Sequence, residues 1–169
     1  MRAGVALGSN LGDRILHLRT GRRAVLNLPR VTPPVLSSSI YETEPVDCEP
    51  GAGAFLNAVV EFSYSAGALE LFQELKMIEM SLGRPRHHER NVSRPIDLDL
   101  LYFGETILDN QGLTLPHPRM LGRRFVLEPL AEIRPELVLP GQTNTIADLL
   151  ASLEQSAKVV RLDTQWEPQ

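Results

Sequence analysis

An α+β fold is predicted by three observations. A short apolar run opens the chain, two stretches of strict alternation follow at Phe55 to Phe62 and Ile96 to Phe103, and two amphipathic helical stripes separate the strands. The order strand, helix, strand, strand, helix, strand over residues 1–103 is the split βαβ arrangement of a ferredoxin-like antiparallel sheet, with both helices on one face. A doubly wound parallel sheet would need more strand-helix alternation than the chain carries. At 169 residues, one catalytic-sized domain spanning 1–169 is expected, because domains commonly run to roughly 100–200 residues.

Ala3 to Leu7 is apolar throughout and closes at Gly8, as a strand buried on both faces does. Gly8-Ser9-Asn10-Leu11-Gly12-Asp13 turns the chain into a helix capped by Asp13, with Ile15, Leu16, Leu18, Val25 and Leu26 on its inner side. Pro29, Pro33 and Pro34 end that helix and delay the next strand to Leu36–Glu42. Residues 44–54 are rich in Pro and Gly and form a loop of the kind that often carries function. In the strand that follows, Leu56, Ala58, Val60 and Phe62 point to the core. Phe55, Asn57, Val59 and Glu61 make a half-polar face, which suits either a flat heterocycle or an ordinary sheet face under a loop.

Ser65 is placed to cap a second helix reaching Leu82, with Leu71, Phe72, Leu75, Ile78 and Leu82 buried and Gly83 ending it. In the third long strand, Ile96, Leu98, Leu100 and Tyr102 share one face and Asp97, Asp99, Leu101 and Phe103 the other. A hairpin around Gly104-Glu105, a Pro116-His117-Pro118 turn, additional C-terminal helices near Phe125–Ile133 and Ile146–Leu153, and a last apolar piece at Val159–Leu162 expected as a C-terminal strand complete the chain. The sheet face away from the first two helices is expected to be open.

A net charge of -4 excludes a protein that coats duplex nucleic acid, since that needs a surplus of Lys and Arg over the whole footprint. A single cysteine, Cys48, leaves no intramolecular disulfide and fits a reducing compartment. No run approaches 18 apolar residues, and the apolar run after Met1 is too brief for a signal peptide. A cytoplasmic monomer with no nucleic-acid or membrane partner is expected.

Chemistry concentrates in one segment. Asp97 and Asp99 leave the same strand face roughly 6.6 Å apart at the backbone. On spacing alone they fit a solvated pair or a Mg²⁺ site that uses one or two carboxylates and fills its remaining positions with water and phosphate oxygens. Arg84, Arg86, Arg90 and Arg94 precede them, with His87 and His88 between. Their forks match phosphate oxygens, although a surface salt-bridge cluster is the simpler use of such a loop. A polyphosphate held between metal and arginine satisfies both groups together, and phosphate chemistry is the better reading of the pair. Gly8-Ser9-Asn10-Leu11-Gly12 has neither P-loop nor dinucleotide-fingerprint spacing.

These blocks, with Phe55-Leu56-Asn57 and Leu115-Pro116-His117-Pro118 through Phe125-Val126-Leu127-Glu128-Pro129-Leu130, resemble the 6-hydroxymethyl-7,8-dihydropterin pyrophosphokinase family of folate biosynthesis, in order, across roughly residues 3–140. The resemblance implies a ferredoxin-like fold and transfer of the terminal diphosphate of ATP to the hydroxymethyl group of the pterin, releasing AMP. It implies that Asp97 and Asp99 hold two Mg²⁺ ions bound with ATP, that Arg84 and Arg94 steady the transferring diphosphate, and that Arg86 is an accessory phosphate contact. His117 and Arg123 match nucleotide contacts, with Lys76, Leu100 and Thr114 nearby. Phe55 and Phe125 match an aromatic pair around the pterin, whose hydrogen-bonding edge is met by Asn57 and the backbone from Thr43 through Pro45 to Val46. No dedicated general base is evident, and Asp99 or a metal-polarised hydroxyl are both open.

The chain departs from the family pattern at Asn91, where an aromatic is common, at Val92-Ser93, where Gly-Pro is common, at Pro95 in place of Thr, and at Pro118, where some members have Tyr. The first three departures bear on loop closure more than on the metal site, and Pro118 bears on the adenosine contacts. A different Mg²⁺-dependent transferase, for example a nucleotidyl or sugar transferase that uses Asp-x-Asp to hold a diphosphate, and a non-catalytic ferredoxin-like module are the competing expectations.

Overall fold

The computed structural model describes residues 1–44, 53–83, 93–110, 112–154 and 158–167. The elements run β1 (Arg2–Ser9), α1 (Arg14–Leu26), β2 (Val31–Ser37), β3 (Tyr41–Thr43), β4 (Phe55–Tyr64), α2 (Ala68–Ser81), β5 (Asp97–Phe103), β6 (Leu108–Asn110), β7 (Leu113–Leu115), a 3-10 turn at Met120–Gly122, α3 (Arg124–Ile133), α4 (Ile146–Ser152) and β8 (Val159–Arg161). The main sheet has the order β5-β1-β4-β3-β8, with β2 also on β4, and the pairings of β1, β4 and β5 are antiparallel. This is the expected α+β, ferredoxin-like topology.

The apolar first strand takes an interior place in the sheet, between β5 and β4, because both of its faces can be buried. Asp13 caps α1 by accepting from the Leu16 N–H at 3.0 Å. One core lies between the sheet and α1 and α2, where Val5, Leu7, Val60, Phe62 and Leu98 meet Leu18, Val25, Leu71 and Leu75. A second core lies on the opposite face, where Val59, Leu101 and Tyr102 meet Met120, Val126, Leu127, Leu130 and Ile146. The expectation of an open second face is therefore corrected: α3 and α4 cover it, and β4 is buried along nearly its whole length.

Five local expectations also change. The strand placed at Leu36–Glu42 is two strands, since β2 starts at Val31 and β3 at Tyr41. Ser38 bridges the break by accepting from the Val59 N–H at 2.9 Å. Pro33 and Pro34 sit inside β2, in the stretch between Thr32 and Leu36 where pairing with β4 lapses and no N–H is required. Ser65 does not cap α2; its N–H donates to Arg30 O at 3.1 Å, and Gly67 stands at the cap position. Leu16 is 55% exposed rather than part of the α1 stripe.

The fourth change alters a face. The ladder between β1 and β5 pairs Gly4 with Tyr102 but Val5 with Leu100, leaving Leu101 as an extra residue. Past that bulge the parity reverses. Tyr102 joins Leu101 in the second core and Phe103 joins the first, opposite to the strict alternation read from the sequence. The hairpin expected at Gly104-Glu105 is a turn, with Gly104 at φ +52, and the paired strands come later as β6 and β7.

Candidate active site

Small residues on β1 create the site. Gly8 pairs with Asn57 of β4 on one side and Asp97 of β5 on the other, and Ala6 pairs with Val59 and Asp99. A trough therefore runs along β1 between an amide and two carboxylates. A Cβ at Gly8 would stand 3.5 Å from Asn57 Oδ1 and 3.8 Å from Asp97 Cβ, filling the floor without a clash. The trough opens into a cleft of about 750 Å³ lined by Thr43, Glu44, Phe55, Asn57, Arg94, Asp97, Asp99, Arg123, Phe125 and Val126.

Asp97 and Asp99 both face this cleft, as their one-residue spacing requires. Arg94 Nη1 donates to Asp97 Oδ2 at 3.2 Å, and its side chain is only 17% exposed. The backbone there is fixed from the far end of β1. Asn10 Oδ1 accepts from the Arg94 N–H at 2.8 Å, the Asn10 N–H donates to Arg94 O at 3.3 Å, and Asn10 Nδ2 donates to Ser93 Oγ at 3.2 Å. Sequence reasoning used Asn10 only as a turn residue. Its signal was chemical, since an amide at a strand exit can accept and donate at once.

On the opposite wall Phe55 and Phe125 flank the cleft, and Arg123 lies over the Phe125 ring with Cζ 5.5 Å from the centroid. Arg123 occupies the residue between the 3-10 turn and α3. Burial lowers its pKa, as does Arg119, while Asp99 and Asp97 act in the opposite direction. Asn57 Nδ2 donates to Thr43 Oγ1 at 2.8 Å, which fixes the orientation of the buried amide. Arg14, at the start of α1, forms an ion pair with Glu42 at 2.8 Å and donates to Ala54 O at 2.8 Å, so it ties together the strand ends that carry Thr43 and Phe55.

Other predicted residues stand apart from the cleft lining. His117 donates its backbone N–H to Leu101 O at 2.8 Å, beside the edge strand β5. Burial lowers the pKa of its imidazole, opposed by Asp99 and aided by Arg123 and Arg119, which places it within electrostatic reach of the carboxylates. Thr114 donates to Asp109 across the β6–β7 hairpin at 2.9 Å. Lys76 is on the α2 side of the sheet, paired with Glu79 at 3.0 Å and 5.5 Å from the Phe72 ring centroid. The Leu100 side chain is in the first core, so its possible contact is through its backbone. The Leu98 N–H donates to Glu79 Oε1 at 2.6 Å across the outer edge of β5, and strand alternation turns the Leu100 N–H and C=O toward the same edge. Arg84, Arg86, Pro45 and Val46 lie outside the described residues, as do Cys48, His87, His88, Arg90, Asn91 and Val92. Glu61, read as part of the half-polar face, is instead fully buried beneath Tyr102, Arg2 and Arg134.

Chemically, the cleft presents two hard carboxylates opposite two guanidinium groups, beside an aromatic slot ending in a fixed amide. Among the described residues no cluster of three or more His, Cys, Asp or Glu side chains is assembled. The pair Asp97 and Asp99 would suit a cation such as Mg²⁺ that takes its remaining ligands from water and substrate phosphates.

A family model described as 7,8-dihydro-6-hydroxymethylpterin-pyrophosphokinase matches residues 4–135. The chain is 45% identical over 129 residues to a Bacillus subtilis 2-amino-4-hydroxy-6-hydroxymethyldihydropteridine pyrophosphokinase, covering 76% of this chain and 75% of that one. It is 38% identical over 137 residues to the Haemophilus influenzae protein of the same name, covering 81% of this chain and 84% of that one. In fold it is similar to a crystal structure of wild-type Plasmodium falciparum HPPK-DHPS with pteroate, at TM-score 0.71 and 14% identity, over 89% of this chain and 44% of that one.

Proposed function

Because the chain belongs to the 7,8-dihydro-6-hydroxymethylpterin-pyrophosphokinase family, and so transfers pyrophosphate from ATP to hydroxymethyldihydropterin in folate biosynthesis, we propose that this cleft performs the transfer with two Mg²⁺ ions. The observation that carries the reading is the placement of Asp97 and Asp99 on one trough wall, with Asn57 on the other and Arg94 and Arg123 above.

Phe55 and Phe125 take the pterin ring between them, since stacked aromatic faces supply affinity for a flat ring. Asn57 reads its polar edge. With one amide hydrogen bonded to Thr43 Oγ1, its orientation is set before the substrate arrives, and a ring with the opposite donor-acceptor pattern is rejected. The hydroxymethyl arm then points along β1 toward the carboxylates. Asp97 and Asp99 hold Mg²⁺, which when bound neutralises triphosphate charge and aligns the reacting oxygens. Arg94 and Arg123 meet the phosphate oxygens, and Arg94 exchanges its bond to Asp97 for one to the diphosphate. The hydroxymethyl oxygen bonds to the β-phosphorus as the bridge to the α-phosphate breaks, the alcohol proton is released, and AMP leaves. Positioning and electrostatics account for most of the rate in such transfers. His117 and the outward backbone of Leu100 are assigned to the nucleotide, along the outer edge of β5 between the Glu79 and His117 contacts.

The test is product analysis with ATP and 6-hydroxymethyl-7,8-dihydropterin. AMP and the pterin diphosphate are expected in equal amounts; ADP, or inorganic pyrophosphate with unmodified pterin, contradicts the assignment.

A further inference from the structure

β3 is three residues long, yet it carries Thr43, the partner that orients Asn57. On its inner side it pairs with β4, Tyr41 to Asn57 and Thr43 to Phe55. Held on that side alone, so short a strand at a sheet edge would fray readily. Its outer side is closed by β8, with Tyr41 opposite Arg161, Glu42 opposite Val160 and Thr43 opposite Val159. The Leu162 N–H donates to Ile40 O at 2.8 Å, and antiparallel alternation makes Glu42 and Val160 the next hydrogen-bonded pair.

The segment after β8 is anchored by several independent contacts. Trp166 donates its indole N–H to Ser38 O at 2.7 Å, and the Arg22 guanidinium lies over its ring at 5.0 Å. Arg19 donates to Gln165 O at 2.7 Å. Arg161 donates to Ser39 Oγ at 2.8 Å and pairs with Glu132 of α3 at 3.5 Å. Residues 158–167 thus form a strap across α1, β3 and α3, and all of them lie beyond the stretch 4–135 matched by the family model.

We propose that this strap is a positioning element for substrate recognition: by completing the outer edge of β3 it holds Thr43, and through Thr43 the Asn57 amide, in the orientation that reads the pterin. This rests on the assignment of the Phe55–Asn57 wall to the pterin. Val160 is 40% exposed, so its side chain contributes little packing, but its N–H faces Glu42. Val160→Pro removes that donor and Val160→Ala keeps it.

The experiment measures KM for each substrate, with kcat, in full-length Val160→Pro, Val160→Ala, Trp166→Ala, Thr43→Val and the Thr43→Val/Val160→Pro double variant. Val160→Pro is expected to raise KM for the pterin about tenfold and KM for ATP less than about twofold, with Val160→Ala near wild type. Trp166→Ala is expected to shift the pterin KM in the same direction and, should Val160→Pro fail to fold, it carries the test. In the Thr43→Val background Val160→Pro should add less than about twofold, because the strap acts through Thr43. Equal shifts in both KM values, or full additivity with Thr43→Val, would overturn the proposal. If Thr43→Val shifts the pterin KM but neither Val160→Pro nor Trp166→Ala does, the strap proposal fails alone; if Thr43→Val itself has no effect, the assignment of the pterin wall fails with it.

Discussion

Gly8 joins the two halves of the cleft, with Asn57 on one flank and Asp97 on the other. Its backbone does not have a positive φ and an added Cβ would approach nothing closer than 3.5 Å, so the fold has room for at least a methyl group there, in the trough assigned to the ligand. Gly8→Val is expected to lower kcat/KM by about a hundredfold or more while moving the melting temperature little, read by steady-state kinetics and calorimetry. Arg94→Ala is expected to reduce kcat by about a hundredfold, as removal of a charged transition-state contact does. Asn10→Ala should give a smaller loss of the same kind, because Arg94 keeps its charge but loses its fixed backbone. The shared face of the twin acids was legible from spacing alone, since parity within a strand is local, whereas their use was not. Asn10 and Arg14 were not, because each acts on backbone far away in the chain, at Arg94 and Ala54 respectively.

At the scale of the elements, β5 explains where alternation succeeds and where it stops. Asp97 and Asp99 precede the bulge and keep the predicted face, whereas Tyr102 and Phe103 follow it and exchange faces. The bulge brings the Tyr102 ring over Gly4, where an added Cβ would stand 2.2 Å from Tyr102 Cε1. Gly4→Ala must displace that ring and disturb its bond to Glu61, so a loss of about 1–3 kcal/mol in urea unfolding is expected; an unchanged midpoint would show that the ring has another place to go. The α3–α4 cover was not legible, because a strand read on its own does not reveal what packs on its second face. β8 was legible as the C-terminal strand at Val159–Leu162 and β3 only as the end of a single strand at Leu36–Glu42; that the two pair with each other was not, because the pairing is long-range and leaves no periodic pattern.

Across the whole molecule, the tyrosines share a property. All three tyrosines have raised pKa values. Burial first, and then the hydrogen bond to a carboxylate, pushes Tyr41 up to about 12 beside Glu132 and Tyr64 up to about 12 beside Glu74, and raises Tyr102 beside Glu61. The folded protein therefore keeps protons that the unfolded chain gives up near about pH 10. Their contribution to stability is complete below that pH and is lost as pH rises toward the folded values. Denaturation midpoints should fall steadily above about pH 10, and tyrosinate absorbance should appear together with unfolding rather than before it. Tyr102→Phe should reduce that slope while lowering stability at neutral pH by about 1–3 kcal/mol, since Glu61 loses a donor.

Net charge, cysteine count and the split βαβ order were legible at this scale because they depend on composition and sequence order alone. How α3, α4 and the C-terminal strap close around the sheet was not. The account as a whole depends on Asp97 and Asp99 acting together as the seat of a metal-bound triphosphate. Calorimetric titration with a non-hydrolysable ATP analogue, with and without Mg²⁺, tests that most directly in the wild type and in Asp97→Asn/Asp99→Asn. Mg²⁺ should tighten binding by about tenfold or more in the wild type and have little effect in the double variant; an undiminished Mg²⁺ dependence in the double variant would contradict the account.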